Sequence, residues 1–136
     1  MAEAEMEFSV QAGADKIVPK LRDLKLIAEC FKFVGDVSED GKRWKVRAPM
    51  SAITQTRELE VRMTGDDPVE WVAKGKHLLW TGRFEVREGE KETMLKVTLS
   101  VEGLGSMAPV INPVAGMQIE GQLRYFVKKL KEKLQD

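Results

Sequence analysis

Cysteine and histidine each occur once in the 136 residues of the chain. A single cysteine, Cys30, excludes an intramolecular disulfide and a metal cluster held by cysteines. A single histidine, His77, leaves no recognisable zinc-ligand spacing, and a triad would need Ser or Cys and an acid to meet it in space. We therefore expect no metal ion, no cofactor and no catalytic residue. We interpret Cys30 as a small buried apolar residue and His77 as a turn residue between two strands.

An excess of charge of one sign is also missing, because 22 basic residues face 22 acidic ones. Nucleic-acid binders that rely on phosphate contacts usually show a basic excess, so we expect no nucleic-acid partner. No apolar stretch approaches the roughly 20 residues that a membrane-spanning helix needs. The acidic residues 1–7 do not resemble a secretory signal. We expect a cytoplasmic protein that is at most peripherally attached to a membrane.

The size and composition of the chain are those of one globular domain. Hydrophobic residues make up 43% and charged residues 32% of the sequence, which are ordinary globular values. The length is close to the commonest domain size. No internal repeat and no low-complexity linker divides the sequence. We therefore predict a single domain over residues 1–136.

Alternation of apolar and polar residues predicts strands over most of the chain. The first strand covers residues 5–12. Apolar residues then recur every three or four positions over residues 14–30, which indicates helix. Pro19 is unfavourable inside a helix, so we predict two short helices with a break around residues 21–23. Alternation resumes in six further stretches, at residues 31–37, 43–50, 54–64, 69–76, 77–87 and 93–103.

The connections between these strands are short, which predicts an antiparallel meander. Asp40 and Gly41 form the strongest hairpin signal, and residues 65–68 predict another turn. Residues 103–116 are rich in glycine and proline yet partly apolar, so we interpret them as a loop. From about residue 114 to 134 the helical period returns, with Ile119 and Leu123 on the apolar face.

This order of elements predicts an α+β fold in which a curved seven-stranded antiparallel sheet wraps around a long C-terminal helix. A helix of about 20 residues is about 30 Å long. A strongly twisted sheet curls around such a helix and leaves space between them. The inward side chains include three tryptophans, Trp44, Trp71 and Trp80. These rings either line a ligand cavity or fill it, and the sequence leaves both possibilities open.

We predict ligand contacts at inward positions of the sheet, in the apolar loop and on the final helix. These residues are Trp44, Met50, Arg57, Leu59, Met63, Trp71, Trp80, Phe84, Met107, Ile111, Ile119 and Leu123. Arg57 shares the inward face with Leu59, so it either pairs with a carboxylate, contacts a polar ligand head or lies at the rim. The loop at residues 104–114 is either a cavity entrance that contacts a membrane or a segment buried at the rim of the sheet.

The order of elements, with residues 8–10 followed by residues 14–21, resembles the helix-grip fold of the START and pollen-allergen-like (SRPBCC) superfamily. More narrowly, residues 26–30, the hairpin at 40–44 and residues 103–106 are similar to the G-subunit family of carbon monoxide dehydrogenase. The chain departs from that family at residues 31–33, where a Pro-Gly pair is common. The resemblance implies a cavity that binds an apolar small molecule or lipid. It also implies an accessory role beside a redox enzyme, with membrane or quinone association.

Three functions remain compatible with this sequence. The leading hypothesis is a non-enzymatic carrier of a quinone-like or isoprenoid molecule, because aromatic walls suit such ligands. The second is a cyclase or dehydratase, which needs acid–base groups inside the cavity, whereas the inward positions are nearly all apolar. The third is an adaptor with a filled cavity that docks on a protein through the sheet or the final helix.

Overall fold

The computed structural model describes the backbone of residues 1–50 and 53–135 and the side chains of residues 1–47 and 56–135. Its strands are β1 (Ala2–Val10), β2 (Val34–Val37), β3 (Arg43–Met50), β4 (Ile53–Asp66), β5 (Val69–Lys74), β6 (Leu78–Glu88) and β7 (Thr93–Gly103). Its helices are α1 (Ala14–Leu21), α2 (Leu24–Glu29) and α3 (Ala108–Gln135), with a 3-10 turn at Gly105–Met107 before α3.

The strands form one curled antiparallel sheet in the order β1-β7-β6-β5-β4-β3-β2. Every strand from β2 to β7 pairs with its neighbour in sequence, while β1 pairs with β7. The two helices α1 and α2 therefore connect the opposite edges of the sheet. Together with the long C-terminal helix, this arrangement confirms the predicted seven-stranded α+β architecture.

The predicted break between the two short helices lies at Arg22 and Asp23. Helix α1 continues through Pro19 and ends at Leu21. Asp23 then caps α2, because its Oδ1 accepts hydrogen bonds from the backbone N–H groups of Lys25 and Leu26 at 3.1 and 3.2 Å. A carboxylate at this position satisfies amides that have no partner inside the helix. The cap explains why the chain starts a second helix here.

The Asp-Gly turn between β2 and β3 forms as predicted and also anchors a tryptophan. Gly41 has φ +74°, and a Cβ there would lie 2.6 Å from the backbone nitrogen of Lys25. Glycine is therefore required both for the conformation and for the close approach of α2. The carbonyl of Gly41 accepts a hydrogen bond of 2.7 Å from Trp44 Nε1. The hairpin thus fixes the Trp44 ring in the core.

The predicted strand at residues 31–37 is wrong in its first half, because β2 begins only at Val34. The backbone N–H of Phe31 bonds to the carbonyl of Ala28 at 3.1 Å, which continues the turn after α2. This turn places the Phe31 ring against Phe126 of α3, with ring centroids 4.1 Å apart. Burial of that ring outweighs the local preference for an extended chain.

The predicted loop at residues 103–116 is also wrong, because α3 already begins at Ala108. Pro109 lies in the first turn of the helix, where its missing N–H has no intrahelical partner to lose. The helix start packs on Gly103, where a Cβ would lie 2.9 Å from Ala108 Cα. Asn112 Oδ1 accepts a hydrogen bond of 2.8 Å from the Gly103 N–H. These contacts with β7 stabilise two helical turns despite Pro109 and Pro113.

Helix α3 covers the concave face of the sheet, mainly against β1 and β7. Its buried side chains recur at the helical period and are Ile111, Ala115, Ile119, Leu123, Phe126, Val127, Leu130 and Leu134. In the part of the chain that the structure describes, no helix is long and apolar enough to cross a membrane.

Candidate functional site

A cluster of aromatic rings occupies the centre of the space between the sheet and α3. The three indole rings lie 5.2 to 5.9 Å apart between centroids, and Trp44 and Trp71 are completely buried. Phe31 closes the cluster from the side of α2, with its centroid 4.3 Å from that of Trp80. Tilted and edge-to-face pairs at these distances are favourable packing. The middle of the predicted cavity is therefore filled by side chains.

The space that remains is a cavity of about 70 Å³ at one end of the cluster. It lies between the first half of α3, the turn before β2 and the adjoining strands. Its lining residues are Phe31, Lys32, Phe33, Val46, Arg47, Leu78, Trp80, Val101, Ile111, Val114, Ala115, Gln118 and Gln122. Because a cavity of about 150 Å³ holds one benzene molecule, this one admits only a small group or one end of a longer molecule.

The polar side chains of this cavity lie on two opposite walls. Lys32, in the turn after α2, and Arg47, on β3, are exposed, whereas Gln118 and Gln122 are half-buried on α3. The described lining includes no acidic residue. The remaining lining is apolar, as in most small-molecule sites.

One lining residue also carries a buried polar group. Trp80 is only 4% exposed, and its Nε1 has no hydrogen-bond partner among the described residues. Trp71 Nε1 is also buried without a described hydrogen-bond partner, but Trp71 does not line the cavity. Most buried indole N–H groups find an acceptor. The Trp80 N–H is therefore a buried donor without a described acceptor in a residue whose ring lines the cavity.

The structure brings only part of the predicted contact set to this cavity. Trp80 and Ile111 line it. The other predicted contacts whose side chains are described lie elsewhere, in the core or on partly buried surface, and are Trp44, Arg57, Leu59, Met63, Trp71, Phe84, Met107, Ile119 and Leu123. Met50 lies outside the described side chains. A ligand-binding role for each of these residues stays a prediction.

Several lining residues were not predicted from the sequence. Gln118 and Gln122 follow Ile111 and Ala115 at helical spacing, so the period of α3 contained a signal for them once Ile111 was placed. Lys32 and Phe33 gave no such signal, because their position depends on the turn after α2.

Cys30 and His77 lie outside this cavity. Cys30 is completely buried, and its Sγ donates a hydrogen bond of 3.3 Å to the Leu26 carbonyl. Burial raises the pKa of the thiol from 9.0 to about 12, which keeps it neutral and unreactive. His77 lies in the turn between β5 and β6, where its carbonyl accepts a hydrogen bond from the Leu104 N–H at 2.8 Å.

The first half of α3 presents an uncharged surface next to the cavity. No charged residue occurs from Gly103 through Ile119. Val110 and Met117 point outward with exposed fractions of 49% and 87%. Met107, in the turn before the helix, is half-buried. The buried side of the same two turns contributes Ile111 and Ala115 to the cavity wall.

No protein-family model and no curated protein sequence matches the chain. Solved structures do match over nearly its whole length. A conserved protein from Geobacillus kaustophilus has a TM-score of 0.71 at 15% identity, covering 97% of this chain and 94% of its own. A START superfamily protein from Mycobacterium smegmatis has a TM-score of 0.66 at 17% identity, covering 98% and 97%.

A third similar structure is a norcoclaurine synthase point mutant from Thalictrum in complex with a transition state analogue. Its TM-score is 0.62 at 11% identity, and the match covers 97% of this chain and 92% of that one. Identities this low establish the fold alone, since one fold hosts unrelated functions. Together with the curled sheet and its long helix, they show that this chain has the START-like helix-grip fold.

Proposed function

We propose that this protein is a non-enzymatic binder of a small apolar molecule, or of the apolar end of a larger one. The observation that carries the proposal is the cavity beneath the first half of α3, which has a largely apolar lining and a few polar groups at its edge. The central aromatic cluster leaves no room for a large ligand. We therefore propose that the ligand binds at the end of the cluster rather than at its middle.

Ring systems and branched chains are the ligand classes that this lining favours. Phe31, Phe33 and Trp80 offer aromatic surface, and Val101, Ile111 and Val114 offer branched or small aliphatic surface. Flat rings gain from stacking on aromatic walls beyond the area they bury. We accordingly propose a quinone-like or isoprenoid ligand that enters end-on.

A displacement assay tests this function. Purified protein is loaded with the uncharged dye Nile red and titrated with a short-chain quinone and with geraniol, while native mass spectrometry looks for co-purified ligand. Ala115→Leu extends a side chain into the cavity, so it should weaken both ligands at least about tenfold. Met117→Leu alters the exposed side of the same helix and should leave binding unchanged. Absence of dye displacement and of co-purified ligand would overturn the proposal.

An enzymatic function finds less support in the lining. Acid–base catalysis needs titratable groups that reach the same reacting atoms. The titratable side chains of the described lining are Lys32 and Arg47, and both are exposed. The cyclase or dehydratase alternative predicts turnover of a bound ligand, which the same assay followed by chromatography would reveal.

We further propose that the uncharged face of α3 lets the protein rest on a membrane surface when it exchanges ligand. Val110 and Met117 are exposed on this face, beside the cavity wall formed by Ile111 and Ala115. Exposed apolar groups of this kind often mark an interaction surface. The fraction of protein that sediments with phosphatidylcholine–phosphatidylglycerol vesicles should fall strongly for Met117→Glu. It should fall less for Met117→Gln, which is polar but uncharged. Equal sedimentation of Met117→Glu and the parent protein would contradict this docking mode.

An accessory role in a carbon monoxide dehydrogenase-type complex is the most specific part of the proposal. It is supported by the resemblance of residues 26–30, 40–44 and 103–106 alone. Gel filtration of the chain with a purified enzyme of that type should give a joint peak. Separate elution at micromolar concentrations would remove this partner and leave the ligand-binding proposal intact.

A further inference from the structure

We infer that the ligand of this cavity carries an anionic head group, held at the edge of the cavity by Lys32 and Arg47 while its apolar body contacts Trp80. The inference rests on the proposed ligand-binding function and adds the charge class of the ligand to it.

The first argument is the sign of the charges around the opening. Lys32 and Arg47 are the charged residues of the described lining, and both are cations. The whole chain is neutral, so this concentration of one sign is local. Within the described residues, neither side chain forms an ion pair. Cations that form no ion pair with the described residues attract an anion to the opening.

The second argument is that the backbone joins the two segments that carry the cations. Lys32 belongs to the turn after α2, and Arg47 belongs to β3. The backbone N–H of Arg47 donates a hydrogen bond of 2.7 Å to the carbonyl of Phe33, which ties the turn to the strand.

The third argument is an excess of hydrogen-bond donors. The amide groups of Gln118 and Gln122 provide N–H donors on the opposite wall. An ammonium head group would face two cations and could bond only to the two amide oxygens, whereas a carboxylate or phosphate accepts hydrogen bonds from the cations and from the amide N–H groups. The cavity size then limits the ligand to one whose apolar end enters first and whose head remains at the exposed cations.

A matched series of ten-carbon isoprenoids tests the head group. Geraniol, geranic acid, geranyl phosphate and geranylamine share the apolar chain and differ in charge. We expect the acid and the phosphate to bind about three- to tenfold more tightly than geraniol at low salt, because each exposed ion pair contributes modestly. Geranylamine should bind most weakly. The preference for anions should shrink in about 500 mM NaCl, where charges are screened within about 4–5 Å.

Charge-reversal variants assign the effect to named residues. Lys32→Glu and Arg47→Glu should each remove the preference for the acid and the phosphate over geraniol. Lys45→Glu makes the same change of net charge on the exposed side of β3, outside the lining, and should keep the preference. Trp80→Phe should weaken geraniol and geranic acid by the same factor, because this ring contacts the apolar body, whereas Trp71→Phe, outside the lining, should weaken neither. The melting temperature of each variant verifies that it is folded.

The outcomes separate the two levels of the proposal. If geraniol, geranic acid, geranyl phosphate and geranylamine all bind with the same affinity, the anionic head group is wrong and the apolar binding function stands. The same conclusion follows if Lys45→Glu abolishes the preference as fully as Lys32→Glu. If none of the four molecules displaces Nile red, both the head group and the proposed function fail. Tighter binding of the phosphate than of the acid would identify the class of anion.

Discussion

Gly82 shows at a single position how tightly the sheet packs beneath the aromatic cluster. It pairs with Trp71 across β5 and β6, and a Cβ at this position would lie 2.3 Å from Trp71 Cε2. Gly82→Ala should therefore lower the free energy of unfolding by about 1–3 kcal/mol, because the indole ring must move. Gly116→Ala is the control, since nothing lies within 4 Å of that position. In that exposed helical site alanine should stabilise by about 0.5–1 kcal/mol. Urea denaturation of both variants measures the difference, and equal effects would contradict the tight packing.

Cys30 makes the stability of the protein sensitive to alkaline pH. Its pKa is raised by burial from 9.0 to about 12 in the folded protein, so the unfolded chain releases the thiol proton first. The contribution of Cys30 is fully present below pH 9 and is lost as the pH rises from 9 towards 12. Between about pH 8 and pH 10 the parent protein should lose about 1 kcal/mol more than Cys30→Ala. Urea denaturation of both proteins at both pH values tests this. Equal losses of stability in the parent and in Cys30→Ala would show that the thiol has the same pKa in the folded and unfolded states.

At the scale of secondary structure, alternation located all seven strands and helical spacing located all three helices. Several boundaries differ, including those of β1, which covers Ala2–Val10 where residues 5–12 were predicted. Two of the differences have a clear physical reason. At residues 31–33 the Phe31 ring packs on Phe126, a contact between residues far apart in sequence that local alternation does not encode. At residues 108–113 glycine and proline suggested a loop, but contacts with β7 stabilise helix there. Local patterns therefore predicted the elements, and tertiary contacts decided where they end.

Asn112 connects the start of α3 to the end of β7 and so supports one wall of the cavity. Its Oδ1 accepts the hydrogen bond from the Gly103 N–H. Asn112→Ala should lower the free energy of unfolding by about 1–3 kcal/mol, because the buried amide loses its acceptor. Asn112→Asp retains an acceptor oxygen and should lose less. Amide hydrogen exchange at Gly103 should accelerate in the alanine variant and stay slower in the aspartate variant. Unchanged exchange in Asn112→Ala would show that the bond does not hold this contact.

At the scale of the whole molecule, the sequence predicted a sheet, a helix and large side chains between them. It left open whether those side chains line a cavity or fill it, because the answer depends on how rings from separate strands interlock. In the structure, Trp44, Trp71 and Trp80 pack on one another. The remaining space is displaced towards α2 and the start of α3. Trp80 and Ile111 are the predicted contacts that border it, since they lie at that end of β6 and α3.

Phe31 separates the cavity from the aromatic interior, because it lines the first and contacts the rings of the second. Phe31→Ala should join the two spaces and allow naphthalene to bind, at a cost of about 3–5 kcal/mol of stability. Phe31→Leu should give a smaller gain in binding at a smaller loss of stability, which keeps the test usable if the alanine variant unfolds.

Phe84→Ala provides the matched control for this enlargement. Phe84 is completely buried and pairs with Phe126 at 6.2 Å, but it does not line the cavity. Phe84→Ala should destabilise the protein about as much as Phe31→Ala but leave the opening of the cavity unchanged. Naphthalene should therefore bind to the Phe31 variants and not to Phe84→Ala. Calorimetric titration with naphthalene measures the difference. Equal binding to the Phe31 and Phe84 variants would mean that ligands reach the interior by another route and that Phe31 does not limit the size of the site.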